Sequence, residues 1–468
     1  MMSKNTEQTM TQMKKLNLAL LAAGALFAAH GAQAAASAAD VARLGKDLTC
    51  VGAEKAGNAD GSIPAFSGKW LGAQATPGWK MNAGSHAVDV YPNEKPLFVI
   101  TAANMAQYAD KLNDGQKALL KKYPNTYKMP IYASHRDFRY PDWVCNTALD
   151  NAKNAKLIND GMGVDATTGA IPFPIPKTGQ EALWNMLLPH RPYTVQTVRD
   201  NATVSSNGVT RGRLQSTGYT PAHDPKVRSK TESGIYSYYI TAPLLPEREK
   251  GAMTVSQEPY NFGTTARLAW RYDPGTRRVR QVPGYGFDQP VSGVGGNMTI
   301  DEDRFFNGSP ERYDWKLLGK REMYIPYNAY RVASPKLKYS ELLTPNHPNT
   351  EPMRYELHRV WVVEAKLKPG MRHLYPRRVV YLDEDSWHGV YADQYDGQNK
   401  LWRASVAHHY YSPDFSGQFN SSTFYHDLNS GSYVAYGMSN EQAKTDIINA
   451  GGAKPEQFTP DAIRRVGK

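Results

Sequence analysis

From about Tyr193 onward, apolar residues alternate with polar ones; before that point they recur at helical spacing or in no period at all. Met105, Tyr108, Ala109 and Leu112 share one helix face behind Thr101, which is placed to cap them. A second short helix is expected over residues 116–123. Thr178-Gly179-Gln180-Glu181 forms a capping box, and its helix carries Leu183, Trp184, Leu187 and Leu188 before Pro189 stops it. Residues 47–78 are rich in glycine and proline and should wrap over other elements. Residues 161–178 are irregular, with prolines at 172, 174 and 176.

The second half reads as strands. Ala266, Leu268, Trp270 and Tyr272 alternate, and Asp273-Pro274-Gly275 turns that strand back into residues 277–282. Tyr313, Trp315 and Leu317 alternate again. Residues 354–367 make a long strand, followed across short turns by 377–382, 387–395 and 401–410. Strands joined by short turns form an antiparallel meander, so residues 266–410 are expected as consecutive antiparallel neighbours. Thr459-Pro460 opens a C-terminal helix with proline at its first position. The fold class is α+β, helices with one large antiparallel sheet. The chain divides into 1–34, 35–192 (wrapping segment and helices), 193–440 (sheet core) and 441–468 (helical tail).

Residues 1–34 carry an address. Lys14 and Lys15 precede an apolar run from Leu16 to Ala29, and Ala32-Gln33-Ala34 is a small-x-small cleavage site. This is the pattern of a secretory signal peptide, so the mature protein is expected in the periplasm. The 468 residues are 41% hydrophobic and 21% charged, which supports a sizeable core and excludes a polytopic membrane protein. Twenty-nine tyrosines against 13 phenylalanines favour surfaces apolar at one end and wet at the other. Cys50 and Cys145 follow the cleavage site. In an oxidising compartment they read as a disulfide closing a loop of about 95 residues, or as two separate buried thiols. The net charge of +11 suits anionic lipid headgroups or envelope polyanions. No nucleic-acid motif accompanies it.

Searches for chemistry return little. There is no Gly-x-Ser-x-Gly elbow, His-Glu-x-x-His pair or phosphate-binding glycine loop. Asp383, Glu384 and Asp385 lie between two strands and read as a solvated turn more readily than as a metal site. Asp301, Glu302 and Asp303 suit the first turn of a short helix. His408 and His409 are neighbours on one strand and point to opposite faces. No catalytic residue, metal or cofactor is assigned. One face of strand 354–367 reads Tyr355, Leu357, Arg359, Trp361, Val363, Ala365, Leu367, matched by an apolar face with Trp402 nearby. It is either a sheet face packed by helices or a greasy wall for an acyl or sterol-like ligand. In the second case Trp270, Tyr355, Leu357, Trp361, Val363 and Trp402 would line the site. Arg359 would meet an anionic headgroup, unless it is salt-bridged.

Several blocks resemble a proteobacterial family of unknown function, numbered thirteen-twenty-nine, whose members are often labelled outer-membrane lipoprotein-sorting proteins. They include residues 48–58 (LTCVGAEKAGN), 107–112 (QYADKL), 181–185 (EALWN), 312–317 (RYDWKL), 354–364 (RYELHRVWVVE), 383–387 (DEDSW) and 393–397 (DQYDG). The resemblance implies the fold of periplasmic lipoprotein carriers, a strongly curved antiparallel sheet forming an unclosed barrel under a lid of helices. It also implies partners, a resistance-nodulation-division type permease and an outer-membrane protein. It carries over no catalytic residues. Many relatives are expected to have proline at position 50, so Cys145 reads as the paired change of Cys50, which supports the disulfide. The leading reading is a non-enzymatic periplasmic carrier or scaffold for a hydrophobic small molecule, lipid or lipoprotein acyl chain. Second comes an envelope protein whose apolar face binds a partner protein, and third an envelope hydrolase.

Overall fold

The computed structural model describes residues 36–69, 79–228, 234–291 and 294–467; the expected signal peptide lies outside the described residues. Strands β1 (Phe98–Ile100) and β2 (Met129–Ile131) bracket a 3-10 helix, Met105–Lys111, and an α-helix, Asp114–Lys122. Asn104 holds the N-cap position of the first, and Thr101 instead donates its backbone N–H to the Asn104 carboxamide oxygen at 2.8 Å. The helix Asp142–Asn154 has no counterpart in the sequence reading. Its buried face mixes Val144, Ala148 and Ala152 with Thr147 and Asn151, so hydrophobic period alone does not reveal it. Strands β3 (Lys156–Ile158) and β4 (Gly163–Asp165) form a separate ribbon.

The capping box opens the helix Gly179–Leu187: Glu181 N–H donates to Thr178 Oγ1, and the Glu181 carboxylate accepts from Thr178 N–H, each at 3.2 Å. A Cβ on Gly179 would fall 2.4 Å from the Trp315 carbonyl carbon, so glycine is what lets this helix lie on its strand. Cys50 and Cys145 are joined in a disulfide that ties the N-terminal wrap to the helix Asp142–Asn154. Alkylation of unfolded, unreduced mature protein should therefore label neither thiol, and labelling of both would refute the bond. Reduction should cost on the order of 2–5 kcal/mol.

Two meanders build the main sheet. The first runs β5 (Thr194–Ser205), β6 (Gly208–Tyr219), β7 (Ile235–Leu245), β8 (Met253–Pro259), β9 (Leu268–Asp273) and β10 (Arg278–Gln281). The second runs β11 (Tyr313–Pro326), β12 (Tyr355–Leu367), β13 (Arg377–Asp383), β14 (Gly389–Tyr395), β15 (Leu401–Ser412), β16 (Gly417–Asp427) and β17 (Tyr433–Met438). β17 pairs antiparallel with β5, fusing the two. β18 (Ile447–Ile448) also joins β5, and β2 meets β12 at one parallel bridge, Ile131 to Tyr355. The result is an unclosed 16-stranded sheet with β10 and β11 at far ends of the fused meanders.

Residues 266–410 are thus not one uninterrupted meander. The β9–β10 hairpin closes one end, and residues 282–312 carry the chain back to β11 at the other. Buried charge anchors this crossing segment. Arg378 Nη2 donates to Asp301 Oδ2 at 3.0 Å, and Gln394 Nε2 donates to Glu302 Oε1 at 3.2 Å. Asp301 and Glu302 do lie in a 3-10 helix, Ile300–Phe305, but both are buried against partners on the sheet.

Candidate ligand-binding cavity

In a strand every second side chain shares a face. That rule puts Val195, Thr197 and Arg199 of β5, Ser237, Tyr239 and Thr241 of β7, and Thr254, Ser256 and Glu258 of β8 on one side of the sheet. All of them line a cavity of about 400 Å³. Tyr285, Val291, Ile300 and Arg304 of the crossing segment wall it as well, with Met186 after the capping-box helix's Trp184 and Phe419 of β16. The intervening residues of β6–β9 face the other way. Tyr219, Val255 and Tyr272 form a smaller core there with Phe458 and Ile463, under the C-terminal helix Pro460–Val466. That helix starts with Pro460, and Thr459 caps it by accepting from Ala462 N–H.

The cavity wall carries five arginines, 191, 199, 267, 271 and 304, against two carboxylates, Glu258 and Asp303. Arg199 is ion-paired with Asp446. Arg267 Nε donates to Glu258 Oε2 at 2.7 Å and its Nη2 to the Asn307 carboxamide at 3.1 Å. Arg304 lies 3.4 Å from Asp303. His409, also on the wall, is buried and its proton affinity falls to about 3, so it is neutral at physiological pH.

None of the seven residues selected from the sequence as a ligand wall lines this cavity. Tyr355, Leu357 and Val363 are turned away from water, but they are buried within the main hydrophobic core. Trp361 stacks on Trp387 with centroids 5.9 Å apart, and Lys320 Nζ sits 4.8 Å over its ring. Trp270 pairs with Val255 across the β8–β9 register, on the face beneath the C-terminal helix. Trp402 donates its indole N–H to Asp427 Oδ2 at 3.0 Å. Arg359 takes the salt-bridged alternative, with Glu384 Oε1 at 3.4 Å and Glu54 Oε2 at 3.6 Å. The β12 face is packed core, and the cavity belongs to β5–β8, whose wall is too rich in Ser, Thr and Arg to stand out as apolar.

Residues 99–464 match the family described as Protein of unknown function (DUF1329). An uncharacterized protein of Pseudomonas aeruginosa is 41% identical over 435 residues, which cover 93% of this chain and 94% of that one. The chain belongs to the DUF1329 family. Similar solved structures include a domain named for outer membrane lipoprotein sorting from Vibrio parahaemolyticus (12% identity, TM-score 0.40, covering 58% of this chain and 92% of that one). Others are a DUF1329 family protein from Desulfovibrio piger (13%, 0.39, 58% and 92%) and a LolA superfamily protein from Nitrosomonas europaea (12%, 0.37, 61% and 99%). Among the described residues no helix is long and apolar enough to cross a membrane.

In this DUF1329 chain the acidic turn 383–385 is not solvated: Asp383, Glu384 and Asp385 are all buried. Arg136, itself buried, donates Nε and Nη2 to the two Asp385 oxygens at 2.8 and 2.7 Å. Ser386 Oγ donates to Asp383 Oδ2 at 2.5 Å. Burial and the Asp385 charge push the Asp383 carboxyl up to about 7. His358, Asp383 and Asp385 each bring one donor atom within 4.8 Å of the others. The chain's own donors already occupy these carboxylates, so the cluster serves as a buried charge network beneath the N-terminal wrap.

Proposed function

We propose that this protein is a non-catalytic carrier that holds a hydrophobic or amphipathic molecule, a lipid or an acyl chain, in the β5–β8 cavity. It does so in the periplasm after export, and it hands the molecule to or from an envelope transport system that includes a permease and an outer-membrane protein. The observation that carries this reading is the cavity itself. Its volume of about 400 Å³ lies in the range of small-molecule sites, and Met186, Val195, Leu214, Val291, Ile300 and Phe419 give it apolar wall. Burying a methylene is worth about 0.8 kcal/mol. A dozen of them therefore support micromolar binding after the cost of association.

The test is extraction of natively purified protein, with mass spectrometry of the extract, alongside titration with fluorescent fatty-acid and sterol probes. Ligand should be retained or probe bound. Ser216→Trp, which fills the cavity from β6, should weaken probe binding at least tenfold at an unchanged circular dichroism spectrum. Absence of both retained lipid and probe binding defeats the carrier reading and favours a scaffold that binds a partner protein.

A further inference from the structure

Four of the five cavity arginines were placed above or lie on the strand wall; the remaining one, Arg191, differs from its neighbours. It follows the helix Gly179–Leu187 and lines the cavity. Its hydrogen bond is to a carbonyl, Nη2 to Met186 O at 3.1 Å. Repulsion from another cavity guanidinium, Arg304, adds to burial in lowering the proton affinity of Arg191, and the Asp303 charge offsets only part of it. Asp303, the acid in this corner, is already engaged by Arg304 at 3.4 Å. Two more wall residues hold unused hydrogen-bonding groups in buried positions. Gln418 has neither carboxamide atom partnered, and His409 has an unpartnered Nδ1. Unmet polar groups in a protein interior are costly, and so is a pair of like charges in a low-dielectric site. An anion placed among these groups relieves both at once.

We infer that the cavity selects a ligand with an anionic head, a carboxylate or a phosphate monoester, and that Arg191 together with Arg304 receives that head while the tail lies along the β5–β8 wall. This rests on the carrier reading and adds the class of cargo. The guanidinium fork matches the paired oxygens of either anion and forms charge-assisted hydrogen bonds to them. The neighbouring imidazoles of His388 and His409 are neutral at physiological pH, so they contribute hydrogen bonds without adding charge.

Three probes with one chain length separate the possibilities: dodecanoate, dodecyl phosphate and dodecan-1-ol, titrated calorimetrically below their micelle concentrations, with inorganic phosphate as a fourth. The two anions should bind wild-type protein at least tenfold more tightly than the alcohol. Arg191→Leu should bring all three within about threefold of one another, and Arg191→Lys should keep part of the preference. If an Arg191 variant fails to fold, judged by circular dichroism, the wild-type ranking decides alone. Equal binding of anions and alcohol overturns the inference while the carrier reading stands. Inorganic phosphate binding as tightly as dodecyl phosphate also overturns it, since the site would then serve a free anion. If no chain-bearing probe binds, the carrier reading itself falls.

Discussion

Replacing Arg136 by Met should destabilise the protein by about 3–5 kcal/mol, the usual cost of removing one partner from a buried ion pair. The side chain is almost wholly enclosed and holds four separate acceptors. Besides the two Asp385 oxygens, its Nη2 donates to Glu54 O at 2.7 Å and its Nη1 to Pro64 O at 3.2 Å. Removing it strands Asp385 beside Asp383 and Glu384, with no water to solvate the charge. Lys320, 2.9 Å from Glu384, and Arg359 compensate only the neighbour. Urea denaturation should show a lower midpoint with little change in slope. Combining Arg136→Met with Asp385→Asn should recover part of the loss, because the stranded charge goes with its partner. A single-variant cost under about 1 kcal/mol would mean the network contributes specificity and not stability.

Much of the local structure could be read from the chain because its causes are local. The Thr178–Glu181 box, the Pro460 helix start and the Asp273-Pro274-Gly275 turn each depend on residues within four positions of one another, and each forms. Strand pairing across short turns from β12 to β15 is legible for the same reason. The fusion of β17 with β5 is not, since it joins residues more than 200 positions apart and leaves no local mark. The crossing segment 282–312 follows from that fusion, and so does the cavity it helps enclose.

The cavity is hard to read from the chain for a second reason. Alternation states which residues share a face but not what covers the face. Tyr355, Leu357 and Val363 have the pattern of a ligand wall and equally that of a packed core, and here they are core. The cavity wall, with Thr197, Ser237, Thr241, Thr254 and Ser256, alternates small hydroxyl residues, which no apolar periodicity marks. The acidic turn shows the same limit. Residues 383–385 do form a turn, but Arg136, which buries them, comes from 249 positions upstream.

Stability should peak near neutral pH and fall steeply as the medium is acidified from about 6.5 toward 4. His190, His223, His408, His409 and His426 are all buried, and burial holds each below the usual histidine value, to about 4 for His190 and about 3 for His408, His409 and His426. In the unfolded chain these imidazoles take up protons near 6.5, and in the native state they do not. Acidification through that window therefore favours unfolding, at about 1.4 kcal/mol per unit of depression for each group. Asp383 and Asp393 oppose the trend. Burial raises both to about 7, so between roughly 4 and 7 the native state keeps protons that the unfolded chain has released. Their contribution is present at low pH and is lost as pH rises through 7. His347 and His388 are depressed by burial as well, while smaller shifts raise Glu181, Glu302, Glu384, Asp414 and the ion-paired His135. Seven depressed imidazoles thus face two strongly raised aspartates and these smaller shifts, so the net slope between pH 4.5 and 6.5 is toward lower stability in acid. Denaturant midpoints across pH 4.5–8 measure it directly. His408→Gln combined with His426→Gln should flatten the acid limb by up to two protons, while Asp383→Asn should steepen it by up to one proton, because it removes an opposing contribution that acts between about pH 4 and 7. A wild-type limb corresponding to less than one proton would show that these imidazoles are not held neutral by burial.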